Sequence, residues 1–225
     1  DASLSMARQL GMGSVAEGTT ASDYHHSEKQ RQISVHSSVL HTSWMGKKFN
    51  IIDTPGYQDF ISEALGALRV GDFALIVVNG KHGVGVGTEQ VWEYATSYGV
   101  PKVVVVNALD KEGASFDAVL EDMRRHFGEK IFPMGLPVNP GPGFNLVLDV
   151  LRSEIVHYQD DKSRRFTEEP AAGPWKDKVR ELHKELIEHV AESDDALIQK
   201  FFEQDGLTEE ELRAARQDLA HASRL

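Results

Sequence analysis

Three apolar runs, each followed by a helical pattern, constrain the fold of this chain more than any other feature of its sequence. The runs occupy residues 49–53, 73–80 and 100–110, and the helical patterns occupy 58–69, 88–98 and 115–127. Short runs that are apolar throughout indicate strands buried on both faces, which is typical of parallel sheets. Since strands and helices alternate along the chain, the sequence predicts an open α/β sheet with right-handed crossovers.

The flanking segments predict an antiparallel edge and a second module. Residues 33–44 alternate apolar and polar side chains, so we expect a half-exposed strand that turns over Met45-Gly46-Lys47 and pairs with 48–53 as an edge of the sheet. After residue 130 proline and glycine cluster, and the later patterns indicate a strand pair within 144–158 and helices over 175–191, 195–203 and 209–222. We therefore expect a core domain over 1–130 and a small α+β module over 131–225.

Composition narrows the class of protein. The 225 residues carry a formal net charge of −11, which argues against a broad cationic face for DNA or for an anionic membrane. No segment approaches the roughly 18 consecutive apolar residues that a membrane-spanning helix needs. The absence of cysteine excludes disulfides and thiolate metal sites and fits a reducing compartment. We therefore expect a cytoplasmic protein that binds neither DNA nor membranes.

The first candidate site motif is Asp53-Thr54-Pro55-Gly56, which follows an apolar run directly. An aspartate at the carboxyl end of a buried strand can hold Mg²⁺ through water, and the N–H of Gly56 can meet a terminal phosphate. An ordinary turn explains the same residues equally well, since aspartate, proline and glycine all favour turns.

The second motif is Asn107-Ala108-Leu109-Asp110, at the end of another apolar run. A carboxylate here can accept hydrogen bonds from N1–H and the 2-amino group of guanine, whereas adenine presents an acceptor and is rejected. By itself this pattern is also that of a strand-ending turn. Ligands of open α/β sheets collect at the carboxyl ends of the strands, and two such motifs 54 residues apart favour a shared nucleotide site.

The polar segment 17–34 is long for a loop within a compact domain, and such loops are usually functional. His25 and His26 suggest a metal site, but adjacent side chains point apart and no third ligand has a suitable spacing. We therefore expect both histidines to be solvated.

These segments together resemble a known family. EGTTASDYHHSEKQRQISV, IIDTPGYQDF, VVVVNALDK, LPVNPGPGFNLVLDVL and LIEHVAESDDALIQKFFEQDGLTEEEL occur in this order along nearly the whole chain. The chain resembles the GTP-binding domain of translation elongation factor G, in its divergent elongation-factor-G-like branch. The resemblance implies a doubly wound, mostly parallel sheet of the P-loop GTPase type with a small α+β insertion.

The resemblance also implies a function. It predicts a translational GTPase with GTP or GDP and Mg²⁺ as cofactors, whose hydrolysis drives a ribosomal step such as translocation or ribosome recycling. The expected partner is the ribosome, through its large-subunit RNA and its stalk protein, the latter on the insertion. The implied metal ligands are Ser34 and Asp53, and the residue facing the attacking water is Tyr57. The implied nucleotide-binding residues are Asp53, Thr54, Pro55, Gly56, Tyr57, Asn107, Ala108, Leu109 and Asp110.

The chain departs from the family pattern at three of these positions. The family carries threonine at Ser34, histidine at Tyr57 and lysine at Ala108. Serine keeps the metal-binding oxygen, but a phenol with a pKa near 10 is a poor base at neutral pH. Without the lysine that lies along the base, nucleotide affinity is expected to fall. The sequence thus predicts a slow or differently gated hydrolase, one that the ribosome activates.

No glycine-rich phosphate loop of the form Gly-x-x-x-x-Gly-Lys-Ser/Thr occurs in these residues. In the family that loop lies before the position of Asp1, so we expect the 225 residues to belong to a larger protein. The alternative is a degenerate, non-catalytic module that binds the ribosome or another protein. A third possibility, an adenine-nucleotide enzyme with a related sheet, is disfavoured by Asp110.

Overall fold

The structure is a computed structural model that describes residues 13–44, 46–129, 131–159 and 165–191. The chain divides into two compact units, residues 1–74 with 90–103 and residues 75–89 with 104–225. The expected domain boundary between residues 130 and 131 stays a prediction. The helices predicted over 195–203 and 209–222 lie outside the described residues.

The described elements alternate in type along much of the chain. In order they are α1 (His26–Arg31), β1 (Ser38–Trp44), β2 (Lys47–Asp53), a 3₁₀ turn (Gln58–Phe60), α2 (Ile61–Leu68), β3 (Ala74–Asn79), α3 (Val86–Ser97), β4 (Lys102–Asn107), α4 (Phe116–Phe127), β5 (Gly135–Pro137), β6 (Leu146–Asp149), β7 (Glu154–Tyr158), β8 (Phe166–Pro170) and α5 (Pro174–Ala191). None of the described helices combines the length and the apolar character that crossing a membrane requires.

The strands β1 and β2 form the predicted antiparallel hairpin. Their register runs from Trp44 opposite Lys47 to Ser38 opposite Asp53. The prediction that the strand begins at residue 33 is wrong. The N–H groups of residues 35–37 donate to the carboxylates of Glu28 and Glu63 instead of to β2, so the strand begins only at Ser38.

The strands β3 and β4 are parallel neighbours in a second two-stranded sheet. The N–H of Ala74 donates to the carbonyl of Pro101, and the N–H of Gly80 donates to the carbonyl of Asn107, both at 2.8 Å. In both hydrogen bonds the acceptor lies the same number of residues after the donor, so the two strands run in the same direction. Among the described strands the β1–β2 hairpin forms a sheet of its own and is not an edge of this pair, which differs from the prediction.

Burial on both faces was the wrong expectation for β3. Ile76 and Val78 are 6% and 1% exposed, whereas Leu75 and Val77 are 57% and 59% exposed. Successive side chains of a strand point to opposite faces, so the described residues cover one face of β3 and leave the other open. A continuous apolar run cannot reveal this difference, because it has the same composition on both faces.

Residues at both ends of α4 stabilise its boundaries through local interactions. Ser115 precedes the helix with an extended backbone, and its hydroxyl accepts a hydrogen bond from the N–H of Ala118 at 3.3 Å. Gly128 follows the helix with φ of 99°, a conformation that strongly favours glycine. Val119 and Met123 are buried, as the helical periodicity predicts.

Strands β5–β8 form a four-stranded antiparallel sheet in the order β5-β6-β7-β8. The sheet and α5 share a core of buried residues: Leu136, Leu148, Val150, Ile155, Val179 and Leu182. Within it, Leu148 and Val150 are fully buried. The predicted strand pair within 144–158 and the helix over 175–191 are thus present. The short strands β5 and β8 were not predicted, because each has at most five residues and includes proline.

Candidate functional site

The segment that leads into β1 is held by a buried carboxylate. Glu28 is fully buried, and its two oxygens accept hydrogen bonds from the N–H groups of His25, Val35 and His36 at 3.0–3.1 Å. Burial alone raises the pKa of Glu28, but the three N–H donors outweigh it and lower the pKa below the ordinary value of 4.5. The carboxylate is therefore ionised at neutral pH and fixes the backbone on both sides of Ser34.

A second carboxylate continues this anchoring. Glu63 on α2 accepts the N–H of Ser37 at 2.7 Å, and this hydrogen bond lowers the pKa of Glu63. Glu28 and Glu63 together satisfy three consecutive N–H groups, those of residues 35–37. The segment is thus ordered by side chains and not by strand pairing.

Ser34, a predicted metal ligand, lies within this anchored segment. Its hydroxyl donates to Asp23 Oδ1 at 2.7 Å, and Thr20 donates to the other oxygen of the same carboxylate at 3.3 Å. Since the Ser34 proton is given to Asp23, the lone pairs of Ser34 Oγ remain available to a ligand. The segment then enters β1 at Ser38, which pairs with Asp53, the other predicted metal ligand.

The turn after β2 is open. Pro55 is buried, whereas Tyr57 is 59% exposed and forms the start of the 3₁₀ turn, where its carbonyl accepts the N–H of Phe60. No atom lies within 4 Å of the position that a Cβ on Gly56 would occupy. Asp53 and Thr54 are half-buried. The turn therefore has room for a ligand above Gly56.

The turn after β4 is closely tied to its surroundings. Leu109 is 7% exposed, and its carbonyl accepts the N–H of Gly141 at 2.7 Å. The carbonyl of Asn107 accepts Gly80 N–H, and its side-chain oxygen accepts Ala108 N–H at 2.8 Å. Ala108 has φ of 60°, a left-handed backbone that is uncommon for a residue with a side chain. Buried Leu109 and these backbone bonds leave Asp110 outside, where its side chain is 50% exposed.

Asp110 has one charged partner among the described residues. Lys111 Nζ lies 2.7 Å from Asp110 Oδ2, and this hydrogen bond lowers the pKa of Asp110 below the ordinary value of 3.8. Asp110 is therefore an anion throughout the neutral range, which is the form that accepts hydrogen bonds from guanine. The ion pair with Lys111 is exposed, so breaking it costs little free energy.

The predicted residues fit a Mg²⁺ ion in their chemistry. Ser34 and Asp53 both present oxygen, the ligand type that this hard cation prefers. The described residues contain no group of three or more histidine and acidic side chains that could hold a metal by themselves. A cation here would thus share its coordination with water and phosphate oxygens. The expectation that His25 and His26 are solvated agrees with the exposure of both side chains.

A groove of about 970 Å³ lies away from the residues predicted for the site. It is lined by α4, α5 and a proline-rich stretch, with Phe116, Leu136, Trp175 and Leu182 among its apolar residues. None of residues 107–110 contributes to it. The position of this groove therefore does not indicate where the predicted site lies. Exposed turns such as the one at Gly56 form no closed cavity.

Comparison with known proteins identifies the family. Residues 4–212 match the family described as the elongation factor Tu GTP binding domain. The chain is 33% identical over 192 residues to elongation factor G of Mycoplasma pneumoniae, covering 85% of this chain and 28% of that protein. A crystal structure of a Thermus thermophilus protein superposes with a TM-score of 0.86 at 32% identity, covering 98% of this chain and 33% of that one.

An α/β GTP-binding domain is thus the class that the fold and the family match define. The chain belongs to the elongation factor Tu GTP-binding domain family, and its likeness to elongation factor G confirms the resemblance inferred from the sequence. The predicted fold class, a GTPase-type α/β domain with a small α+β insertion, is also confirmed. The chain spans about a third or less of the length of these two relatives.

Ser34 and residues 53–57 lie in the first unit, and residues 107–110 lie in the second. Sequence reasoning missed three carboxylates that support the first group: Asp23, Glu28 and Glu63. From the sequence alone, an acidic residue in a polar loop is expected to be solvated. Only the hydrogen bonds that it accepts in the structure distinguish a buried, anchoring carboxylate from a solvated one. A glutamate three residues after the N-cap of a short helix was the one available signal, and it applied to Glu28, which follows the N-cap His25.

Proposed function

We propose that this domain binds guanine nucleotides, with Asn107 and Asp110 reading the base. The observation that carries this proposal is the turn after β4, where buried Leu109 and the Gly141 bond leave Asp110 exposed and ionised. An anionic acceptor pairs with N1–H and the 2-amino group of guanine and repels the N1 acceptor of adenine. Ala108 and Leu109 complete the turn through their backbone.

The phosphate end of the nucleotide belongs to the turn after β2. The N–H of Gly56 would meet the terminal phosphate in the open space beside it, and Thr54 and Pro55 set the direction of the turn. Ser34 and Asp53 would hold Mg²⁺, which when bound neutralises phosphate charge. The support for Ser34 is that Asp23 takes its proton and leaves its lone pairs free.

The proposed reaction is slow GTP hydrolysis. Tyr57 is exposed beside the open turn, and its phenol can donate to or accept from a water molecule that attacks the terminal phosphate. Since a phenol is a poor base at neutral pH, Tyr57 would orient the water and the remaining rate enhancement would come from positioning and charge neutralisation.

The proposed partner is the ribosome, as the likeness to an elongation factor suggests. Hydrolysis would be coupled to a step such as translocation or ribosome recycling. The insertion over 131–225 would contact the ribosomal stalk protein, and the core over 1–130 would face large-subunit RNA. In the described part of the insertion, β5–β8 and α5 pack around one buried core, against which Phe116 of α4 also packs.

Titration calorimetry of the full-length protein with GDP and with ATP, in the presence of Mg²⁺, tests the proposal. We expect heat from GDP and none from ATP, and phosphate release from GTP that ribosomes accelerate. A specific observation favours a second candidate, a non-catalytic binding module: Ala108 and Tyr57 stand where the family has lysine and histidine. Absence of GDP binding, or binding without ribosome-stimulated phosphate release, would favour that module.

A further inference from the structure

The turn after β3 packs directly against the turn after β4. The N–H of Gly80 donates to the carbonyl of Asn107 at 2.8 Å, and the carbonyl of Gly80 accepts the N–H of Ser115 at 2.9 Å. A Cβ on Gly80 would lie 2.9 Å from both the Asn107 carbonyl and the Leu109 side chain. Only glycine fits there, so the residue that follows Gly80 is held beside the segment 107–115.

That residue is Lys81. Its N–H donates to Asn79 Oδ1 at 2.9 Å, which fixes its backbone. Its side chain is exposed and reaches the segment at Gly113, since Lys81 Cε lies 3.7 Å from the position of a Cβ on Gly113. No hydrogen bond or ion pair of Lys81 Nζ occurs among the described residues. By contrast, Lys111 is paired with Asp110.

The glycine-rich stretch that follows Lys81 does not itself provide an anion site. Asp122 Oδ2 accepts the N–H of Val84 at 2.9 Å and lies 2.7 Å from the position of a Cβ on Gly83. An internal carboxylate thus already occupies the N–H group there. A second anion would be repelled by Asp122, which disfavours anion binding by the backbone N–H groups of this turn and leaves side chains such as Lys81 to make a contact.

We propose that Lys81 supplies the cation that the nucleotide site lacks at position 108. Its ammonium group would donate to the oxygens of a guanine nucleotide bound at the turn after β4, in place of the lysine that Ala108 removes. This inference rests on the proposed function, because it assigns a further binding residue to the same site. If the inference holds, the positive charge that the family carries at position 108, in the turn after β4, is supplied in this chain by Lys81, in the turn after β3.

The experiment measures GDP affinity of the full-length protein with Mg²⁺ present, for the unaltered protein and for Lys81→Met. We expect Lys81→Met to weaken binding on the order of tenfold, as expected for loss of a charge-assisted hydrogen bond. Lys176→Met is the matched control, since Lys176 is also exposed and in the same unit and its loss changes the net charge equally. The control should bind within about twofold of the unaltered protein.

A double-variant cycle makes the test specific. Ala108→Lys should restore most of the affinity of Lys81→Met, and should strengthen binding less when Lys81 is present, because the two cations serve one role. Lys81→Arg should bind nearly as the unaltered protein does, which separates loss of charge from loss of folding. Tight GDP binding that Lys81→Met leaves unchanged would overturn the inference alone. No GDP binding by the unaltered protein would overturn the proposed function, and the inference with it.

Discussion

The two turns that carry the candidate site are built in opposite ways. The turn after β4 has buried Leu109 at its centre and backbone bonds to Gly80 and Gly141. The turn after β2 has nothing within 4 Å of a Cβ on Gly56, and Tyr57 projects into solvent. A turn that reads a base must keep its acceptors in one geometry, whereas a turn that meets a terminal phosphate needs access and room to respond.

The largest effect that tests this contrast is on base recognition. We expect Asp110→Asn to weaken GDP binding by about a thousandfold or more, because the amide N–H₂ faces donors of guanine. The same change should improve binding of xanthosine diphosphate, whose 2-oxo group accepts from an amide. Competition with a fluorescent GDP analogue measures both affinities. Asp117→Asn, also at an exposed acid, is the control, and an equal loss in that variant would contradict the assignment of Asp110.

The next effect is on stability and separates the two turns directly. Leu109→Ala should lower the free energy of unfolding by about 3 kcal/mol, the typical cost of a cavity at a buried leucine. Gly56→Ala should change it by less than about 0.5 kcal/mol, because a Cβ there meets no atom. Urea denaturation followed by circular dichroism measures both. Comparable losses in the two variants would remove the distinction between a packed and an open turn.

The anchored segment before β1, which carries Ser34, gives a pH-dependent prediction. The pKa of Glu28 is lowered in the folded protein, so its contribution to stability is present above the ordinary pKa of 4.5 and is lost as the pH falls through the lower folded value. The protection factors of the Val35 and His36 amides against hydrogen exchange, corrected for the intrinsic exchange rate at each pH, should therefore fall in acid.

The variant Glu28→Gln removes the charge and should cost about 2 kcal/mol, or roughly thirtyfold in protection of those amides at pH 7. Protection in this variant should no longer depend on pH below 5. Glu121→Gln, at an exposed glutamate of α4, should leave the same amides unaffected. Equal protection of Val35 and His36 with and without the Glu28 charge would show that strand pairing holds the segment instead.

A smaller effect is expected on turnover. Tyr57→His should raise ribosome-stimulated GTP hydrolysis by about tenfold, since a group that titrates near neutral pH is better suited to act on a water molecule than a phenol. Tyr24→His, at another exposed tyrosine in the first unit, is the control. Phosphate release measured in single turnovers reports the change, and an unchanged or lower rate would count against the proposed role of Tyr57.

The smallest effect concerns backbone strain in the closely tied turn. Ala108 has a left-handed backbone that costs a residue with a side chain about 1 kcal/mol relative to glycine. Ala108→Gly should therefore raise the free energy of unfolding by up to that amount, as measured by urea denaturation. Gly66→Ala, in the middle of α2 where no atom lies within 4 Å of a new Cβ, provides a comparison in which glycine is the less stable residue.

Much of the fold was determined locally and could be predicted from the sequence. Apolar runs located β2, β3 and β4, and the helical periodicity over 115–127 located α4. Strand and helix periods repeat within a few residues, so each element carries its own signal. The family resemblance could be read for the same reason, because the motifs at 53–56 and 107–110 are contiguous segments.

Only the tertiary structure decided how those motifs are supported. Glu28, Ser34 and Glu63 form hydrogen bonds with residues seven or more positions away in the sequence. No periodic pattern in the sequence predicts these bonds. The tertiary structure also decided that the described residues cover Ile76 and Val78 of β3 and leave Leu75 and Val77 uncovered. A sequence fixes which residues are able to pack, donate or accept, but pairing and burial depend on which distant segments arrive beside them. That dependence separates the two turns, whose residues alone predict nearly the same structure.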